Sequence, residues 1–292
     1  DTTIYIYDEK SYKYIGKFGK KGEGPREIKK NPFGGGILVY PHKDKVYVSS
    51  MAKLSIFSKD GAYETEHKIN IMDGLYPVGD QYIAFSTKII EGKKAPVLAV
   101  YLCDQKFNRI GTLYVTDIEV GQNAGFNFPF TSVNAIPYKD KIYVVDGLNG
   151  FSIKIFDLKG KEIGGFKKPF KRAPLTSEYK KKNENWFKTR EPWKNFYGFI
   201  KNRFKYKKTF NPIYRMDVNN DLIYVMTSTM KNDLRECIVF DLKGKKIKTL
   251  YLPVEQLYGM DFTQKSFYSK TGYYQLRENI DEEVIELHRT KL

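Results

Sequence analysis

Asp140-Lys141-Ile142-Tyr143-Val144, then Ile153-Lys154-Ile155-Phe156-Asp157 and the turn Leu158-Lys159-Gly160, set out the grammar of this chain. A turn bearing Asp leads into an alternating apolar strand. The next strand ends in a repeated Asp, and a Gly turn sends the chain into an outer strand, here Glu162 to Phe166. Asp hydrogen-bonds its own backbone in such turns and Gly supplies the positive φ they need, so the repeated Asp reads as turn geometry, not catalysis. The strand opening recurs at Asp44, Asp80 and Asp221, with a weaker copy at Lys265-Ser266-Phe267-Tyr268. The strand ending recurs at Asp8, Ser58, Asp104, Asp157 and Asp241, at intervals of 50, 46, 53 and 84 residues. Short strands in units of that length mark a β-propeller.

The count of third-strand endings predicts six blades; the rival is a five-bladed ring closed by the two ends, with Val284–Arg289 as an extra strand. Thr3–Tyr7 and Tyr14–Phe18 supply outer strands without an inner pair. Full blades run from about Gly35, Met72, Phe128 and Asn211, and a last unit reaches a third strand at Val284–Arg289. The expected fold is therefore all-β: a six-bladed propeller of four-stranded antiparallel blades, one domain over 1–292, with its first blade incomplete. A helical insertion at 169–210, between the fourth and fifth blades, stretches the last interval.

The stretch Gly16-Lys17-Phe18-Gly19-Lys20-Lys21-Gly22-Glu23-Gly24-Pro25-Arg26-Glu27-Ile28 resembles the linker of NHL-type repeats and of bacterial TolB-like six-bladed propellers. Arg26 stands where those families usually carry Gly, and Ile28 where they carry Phe. The resemblance implies the fold and an extracytoplasmic, periplasmic or extracellular, bacterial setting, and brings no catalytic residues with it. A phosphate-binding loop is a poor reading of the same glycines, because no Gly-Lys-Ser/Thr opens a helix here. Asp1, not Met, opens the sequence, as expected where a leader or more has been removed or was never included. No run is long enough to span a membrane.

Charge is the second informative feature. The chain is +16, yet Lys167 to Lys208 holds fifteen Lys or Arg against three acids, an excess of +12. Within it, Ser177 to Trp186 reads as a helix capped by Thr176 or Ser177. A second helix is expected over Trp193 to Phe204, with Trp193, Phe196, Tyr197, Ile200 and Phe204 forming one stripe. Trp186, Trp193, Phe196 and Ile200 are expected to face the propeller. Lys180, Lys181, Lys182, Arg190, Lys194 and Arg203 should meet solvent or a partner. Lysines interleaved with aromatics suit an anionic partner, a protein or an acidic glycan. Nucleic acid is the weaker candidate, since nine Arg stand against 41 Lys and Arg is the usual reader of phosphates and bases.

Enzyme chemistry finds little footing. His42, His67 and His288 fall on no inner strand, so neither a zinc site nor a Ser-His-Asp triad assembles easily. Cys103 and Cys237 read as buried strand residues. No cofactor is expected; calcium alone would find enough oxygen ligands, from residues such as Asn134, Asp217 and Asp261. Aligning Tyr47, Tyr143, Tyr224 and Tyr268 and stepping back ten places Ile37, Val133, Tyr214 and Tyr258, with Asn134 and Arg215 beside them, along the propeller channel. The expected function is a non-catalytic binding or scaffolding module. The alternative is a calcium-assisted hydrolase or lyase at the channel mouth, and a third reading is nucleic-acid binding.

Overall fold

A computed structural model describes residues 2–292 apart from 30–36, 51–52, 70–73, 92–96, 118–119, 122–124, 131–132, 149, 255, 262–265, 280–281 and 283. The starts expected at Gly35 and Met72, and Lys265, lie outside the described residues. The chain forms two compact units, Asp1–Val115 and Thr116–Leu292.

In the first unit, an antiparallel hairpin of Ile4–Tyr7 and Tyr14–Phe18 precedes two four-stranded meanders. Blade 1 is Leu38–His42, Lys45–Ser50, Lys53–Ser58 and Tyr63–Lys68; blade 2 is Gly74–Val78, Gln81–Lys88, Val97–Cys103 and Arg109–Asp117. The motif that suggested an NHL-type linker folds around Glu27. Its carboxylate accepts from the Gly24 backbone at 3.0 Å and lies 3.2 Å from Lys20 Nζ. Arg26, where Gly was expected, has φ +67, the left-handed region that favours glycine. Ile28 is fully buried against Val48 and Phe57, filling the place of the expected Phe.

In the second unit, blade 3 is Val133–Tyr138, Lys141–Asp146, Phe151–Asp157 and Glu162–Lys168. Blade 4 is Ile213–Asn219, Leu222–Lys231, Leu234–Asp241 and Lys246–Leu252. Blade 5 has three described strands, Ser266–Ser269, Gly272–Asn279 and Val284–Thr290. Between blades 3 and 4 lie helix α1 (Ser177–Thr189), helix α2 (Trp193–Ile200) and the strand Phe204–Tyr206. That strand runs parallel to Gly125–Phe128, which also pairs with Val120–Gly121. Phe128, expected to open a blade, belongs to this separate sheet, and blade 3 begins at Val133.

Burial follows strand order. Ile142 to Asp146 of blade 3 are all buried, because both faces of a middle strand pack on other strands. The outer strand Glu162–Lys168 has no buried residue, which is where the sequence carries its Lys and Glu. Asp157 Oδ1 accepts from the Lys159 and Lys161 backbones at 2.9 Å, and Asp241 repeats the arrangement with Lys243 and Lys245. The repeated Asp is thus a turn residue.

The fold is a β-propeller, but with five blades, not six. Five hairpins of first and second strands occur among the described residues. The sixth unit is the N-terminal hairpin, a two-stranded sheet to which no inner strand pairs among the described residues, and the register of the last blade differs as well. Tyr268 was aligned with second-strand tyrosines, yet Ser266–Ser269 is a first strand, joined to Gly272–Asn279 through the turn Lys270-Thr271, with Ser269 opposite Gly272. The N-terminal hairpin has outer-strand character without inner strands. Phe18 packs on Phe57 at 4.6 Å and covers Gly61, as Phe166 of blade 3 packs on Phe240 at 5.2 Å and covers Gly244. With five blades, the insertion lies between the third and fourth.

Candidate binding surface and a buried polar seam

The insertion is held by aromatic packing. Phe128, fully buried, has Phe130, Phe187, Phe204 and Tyr206 around it at centroid distances of 4.5 to 5.6 Å. Thr176 caps α1, its hydroxyl accepting from the Tyr179 backbone at 3.1 Å. Tyr179 and Phe187 point inward from α1, and Tyr179 meets Tyr258 of the loop before blade 5 at 5.3 Å. Asn183, wholly buried, donates to the Tyr206 hydroxyl at 3.2 Å and accepts from the Gly259 backbone at 2.8 Å. Burial pushes the Tyr206 phenol up to about 12.

α2 ends earlier than expected. It stops at Ile200, one tight turn follows at Lys201–Arg203, and Phe204 enters the strand that pairs with Phe126. Trp193, Tyr197, Ile200 and Phe204 pack on the aromatic cluster. On a helix of 3.6 residues per turn Trp193, Tyr197 and Ile200 share a narrow arc, and Phe196 falls at its margin. Phe196 is accordingly turned out, 44% exposed, and Phe199 is 83% exposed.

Lys180, Lys181, Lys182, Arg190 and Lys194 are exposed, while Trp186, Trp193 and Arg203 are half-buried. Lys182 pairs with Glu178 at 2.8 Å and Lys194 pairs with Glu191. Lys180 Nζ stands 5.5 Å from the centre of the Tyr206 ring. One basic residue of the segment is structural: Lys207 Nζ donates to the Pro129 carbonyl at 3.1 Å.

The residues expected at a channel fall on or beside the first strands of blades 1, 3 and 4, and in one loop. Ile37 packs in the first unit beside Val48. In the second unit Val133 and Asn134 pair with Asp146 and Val145 inside blade 3. Tyr214 and Arg215 lie on the first strand of blade 4, and Tyr258 is on no strand. Its alignment fell with that of Tyr268.

Tyr214 and Arg215 belong to a polar seam between blades 4 and 5 that sequence reading missed. Arg235 is fully buried beneath the Tyr214 ring, 3.7 Å from its centre. Its guanidinium donates to the Thr227 carbonyl at 3.1 Å and to Gln256 Oε1 at 2.9 Å. Burial lowers its pKa, and no carboxylate pairs with it among the described residues. Arg215 meets Asp217 at 2.6 Å and donates to Ser266 Oγ at 2.9 Å. Burial raises the Asp217 pKa, and Arg215 offsets only part of that. Cys237 Sγ lies 3.3 Å from the Tyr268 hydroxyl, and burial pushes its thiol up to about 12, the opposite of an activated nucleophile.

Of the residues named for calcium, Asp217 is taken by Arg215, and Asn134 and Asp261 have partners of their own. No three His, Cys, Asp or Glu side chains come together as a metal site among the described residues. His42 bonds the Gly79 carbonyl, His67 packs on Phe107 and His288 bonds Glu286. No described helix is long and apolar enough to cross a membrane.

No protein-family model matches the chain, and no curated protein does, so the likeness to NHL and TolB-like propellers has no family match behind it. Solved structures do resemble it. A candidate exported protein from Bacteroides fragilis NCTC 9343 shares 12% identity over 94% of this chain and 74% of its own, with a TM-score of 0.55. A member of the DUF4221 family from Bacteroides vulgatus ATCC 8482 also shares 12%, over 99% and 86%, with a TM-score of 0.53. At that identity the likeness is one of fold.

Proposed function

We propose that this protein is a non-catalytic binding or scaffolding propeller whose insertion presents a basic face to an anionic partner outside the cytoplasm. One observation carries the reading: the insertion is held by Tyr179, Phe187, Trp193, Tyr197 and Phe204 in its aromatic cluster, and so can leave Lys180, Lys181, Arg190 and Lys194 exposed. An excess of +12 in so short a stretch repels itself, and an anionic partner relieves that repulsion. The likeness to a candidate exported protein supports an extracytoplasmic setting. Against catalysis stand a thiol held protonated and histidines each engaged by a different neighbour.

The test is retention of the full chain on immobilised heparin. Wild type should be retained and elute with rising salt. Reversing Lys180, Lys181 and Lys182 to Glu should abolish retention and leave the Tm nearly unchanged. Unchanged retention would sink the assignment of that face. A large fall in Tm would show instead that the lysines hold the insertion in place.

A further inference from the structure

α2 is an eight-residue helix with no fully buried residue, and its two faces differ in kind. Trp193, Tyr197 and Ile200 meet the aromatic cluster. By the 100° step of a helix, the opposite face has Asn195 at its middle, Phe199 and then Phe196 on one side, and Gly198 and Lys194 on the other; Asn195 donates to Glu191 at 3.1 Å. A phenyl ring 83% exposed beside one 44% exposed is an apolar surface that the described residues of this chain leave open. Arg190, Lys194, Lys201 and Lys205, all exposed, flank it along the chain. From Arg190 to Lys208 the sequence has a single acid, Glu191, and Lys194 already holds it.

We propose that this face of α2 docks the protein on an anionic lipid surface, with Phe196 and Phe199 entering the interface and the flanking cations meeting the headgroups. The proposal rests on the anionic-partner reading above and names the partner. Two features favour lipid over an acidic protein. The rings stand on the convex side of a helix, a shape that enters a fluid surface. The cations are mostly lysine, point charges on flexible stems that follow mobile headgroups; a fixed carboxylate or phosphate favours the arginine fork. Each cation near an anionic surface strengthens binding about fivefold, so three or four of them, with two phenyl rings, suffice for reversible attachment.

The experiment is co-sedimentation of the full chain with vesicles of phosphatidylcholine alone, and of phosphatidylcholine with about a quarter phosphatidylglycerol, an anionic fraction ample for attracting basic segments. The protein should pellet with the anionic vesicles only, and less as salt rises. Replacing both rings, Phe196→Ser with Phe199→Ser, should weaken pelleting about tenfold or more while leaving Tm and heparin retention as in wild type. Pelleting of the double variant equal to wild type would overturn the insertion of the rings. Absence of pelleting with anionic vesicles, alongside intact heparin retention, would overturn the lipid assignment and leave a soluble polyanion or acidic protein as partner. Loss of both would remove the anionic-partner reading itself.

Discussion

A methyl group on Gly259 would stand 2.0 Å from Cε3 of Trp186, so the loop before blade 5 meets α1 through bare backbone. Gly259 has φ +60 and donates its N–H to Asn183, which fixes the loop against the helix from a second direction. Insertion and blade 5 therefore share a contact that no larger residue can occupy without displacing the indole.

Gly259→Ala should lower stability by about 1–3 kcal/mol, from the indole clash together with the left-handed backbone. Gly198→Ala should do the reverse, adding about 0.5–1 kcal/mol, because Gly198 is inside α2 and a methyl there meets nothing within 4 Å. Urea midpoints of the two variants decide the matter. Equal shifts would show that Trp186 yields freely.

Phe128→Ala should cost about 3–5 kcal/mol, the usual range for a fully buried ring. The ring holds together Gly125–Phe128, α1 through Phe187 and the strand Phe204–Tyr206, so the loss should concentrate in the insertion. Proteolysis between α1 and α2 should accelerate more than cleavage within blade 4. Uniform acceleration would mean that insertion and blades unfold as one.

Arg235→Ala should cost about 3–5 kcal/mol, since it opens a cavity and orphans both Thr227 O and Gln256 Oε1. Arg235→Met refills the volume and removes a buried charge that no carboxylate among the described residues pairs with, so it should recover part of that loss. Thermal melts of the pair test the ranking. A Met variant as weak as the Ala variant would show that the guanidinium's hydrogen bonds outweigh its bulk.

The blade grammar was legible because turn chemistry is local. Asp157, Lys159 and Gly160 specify a hairpin within a few residues, and Asp8, Asp104 and Asp241 specify it again. The cap at Thr176 was legible for the same reason. The last blade was misaligned because Tyr268 and Tyr274 are both strand tyrosines beside a short turn, and only pairing across the sheet separates first strand from second. Phe196 was misjudged because a stripe read from apolar spacing has no sharp edge. The Arg235 site left no signal: Tyr214, Thr227 and Gln256 follow no motif spacing and meet Arg235 only once the strands of blade 4 pair and pack.

Neither cysteine should react in the native state. Cys103 and Cys237 are buried, and the Cys237 thiol sits near 12, so its thiolate is scarce at any working pH. Ellman's reagent at pH 8 should report no thiol in native protein and two after denaturation. Rapid native labelling at Cys237 would show that the seam between blades 4 and 5 opens readily.

Asp217 ties the same seam to pH. Its folded pKa lies above the unfolded value of 3.8, since burial outweighs the help from Arg215. A raised folded pKa means the folded state binds this proton more tightly, so the contribution of Asp217 to stability is fully present below 3.8 and is lost as pH rises through the folded value. At neutral pH ionising this half-buried carboxylate therefore works against folding despite its 2.6 Å contact with Arg215. Asp217→Asn, which keeps the shape and removes the charge, should be as stable as wild type or more so at pH 7.5. The difference should shrink as pH falls through the folded pKa of the wild-type carboxyl, which takes up its proton there. Melting both proteins across that range checks the sign: an Asn variant markedly less stable at pH 7.5, recovering in acid, would show that the Arg215 pair more than offsets its desolvation.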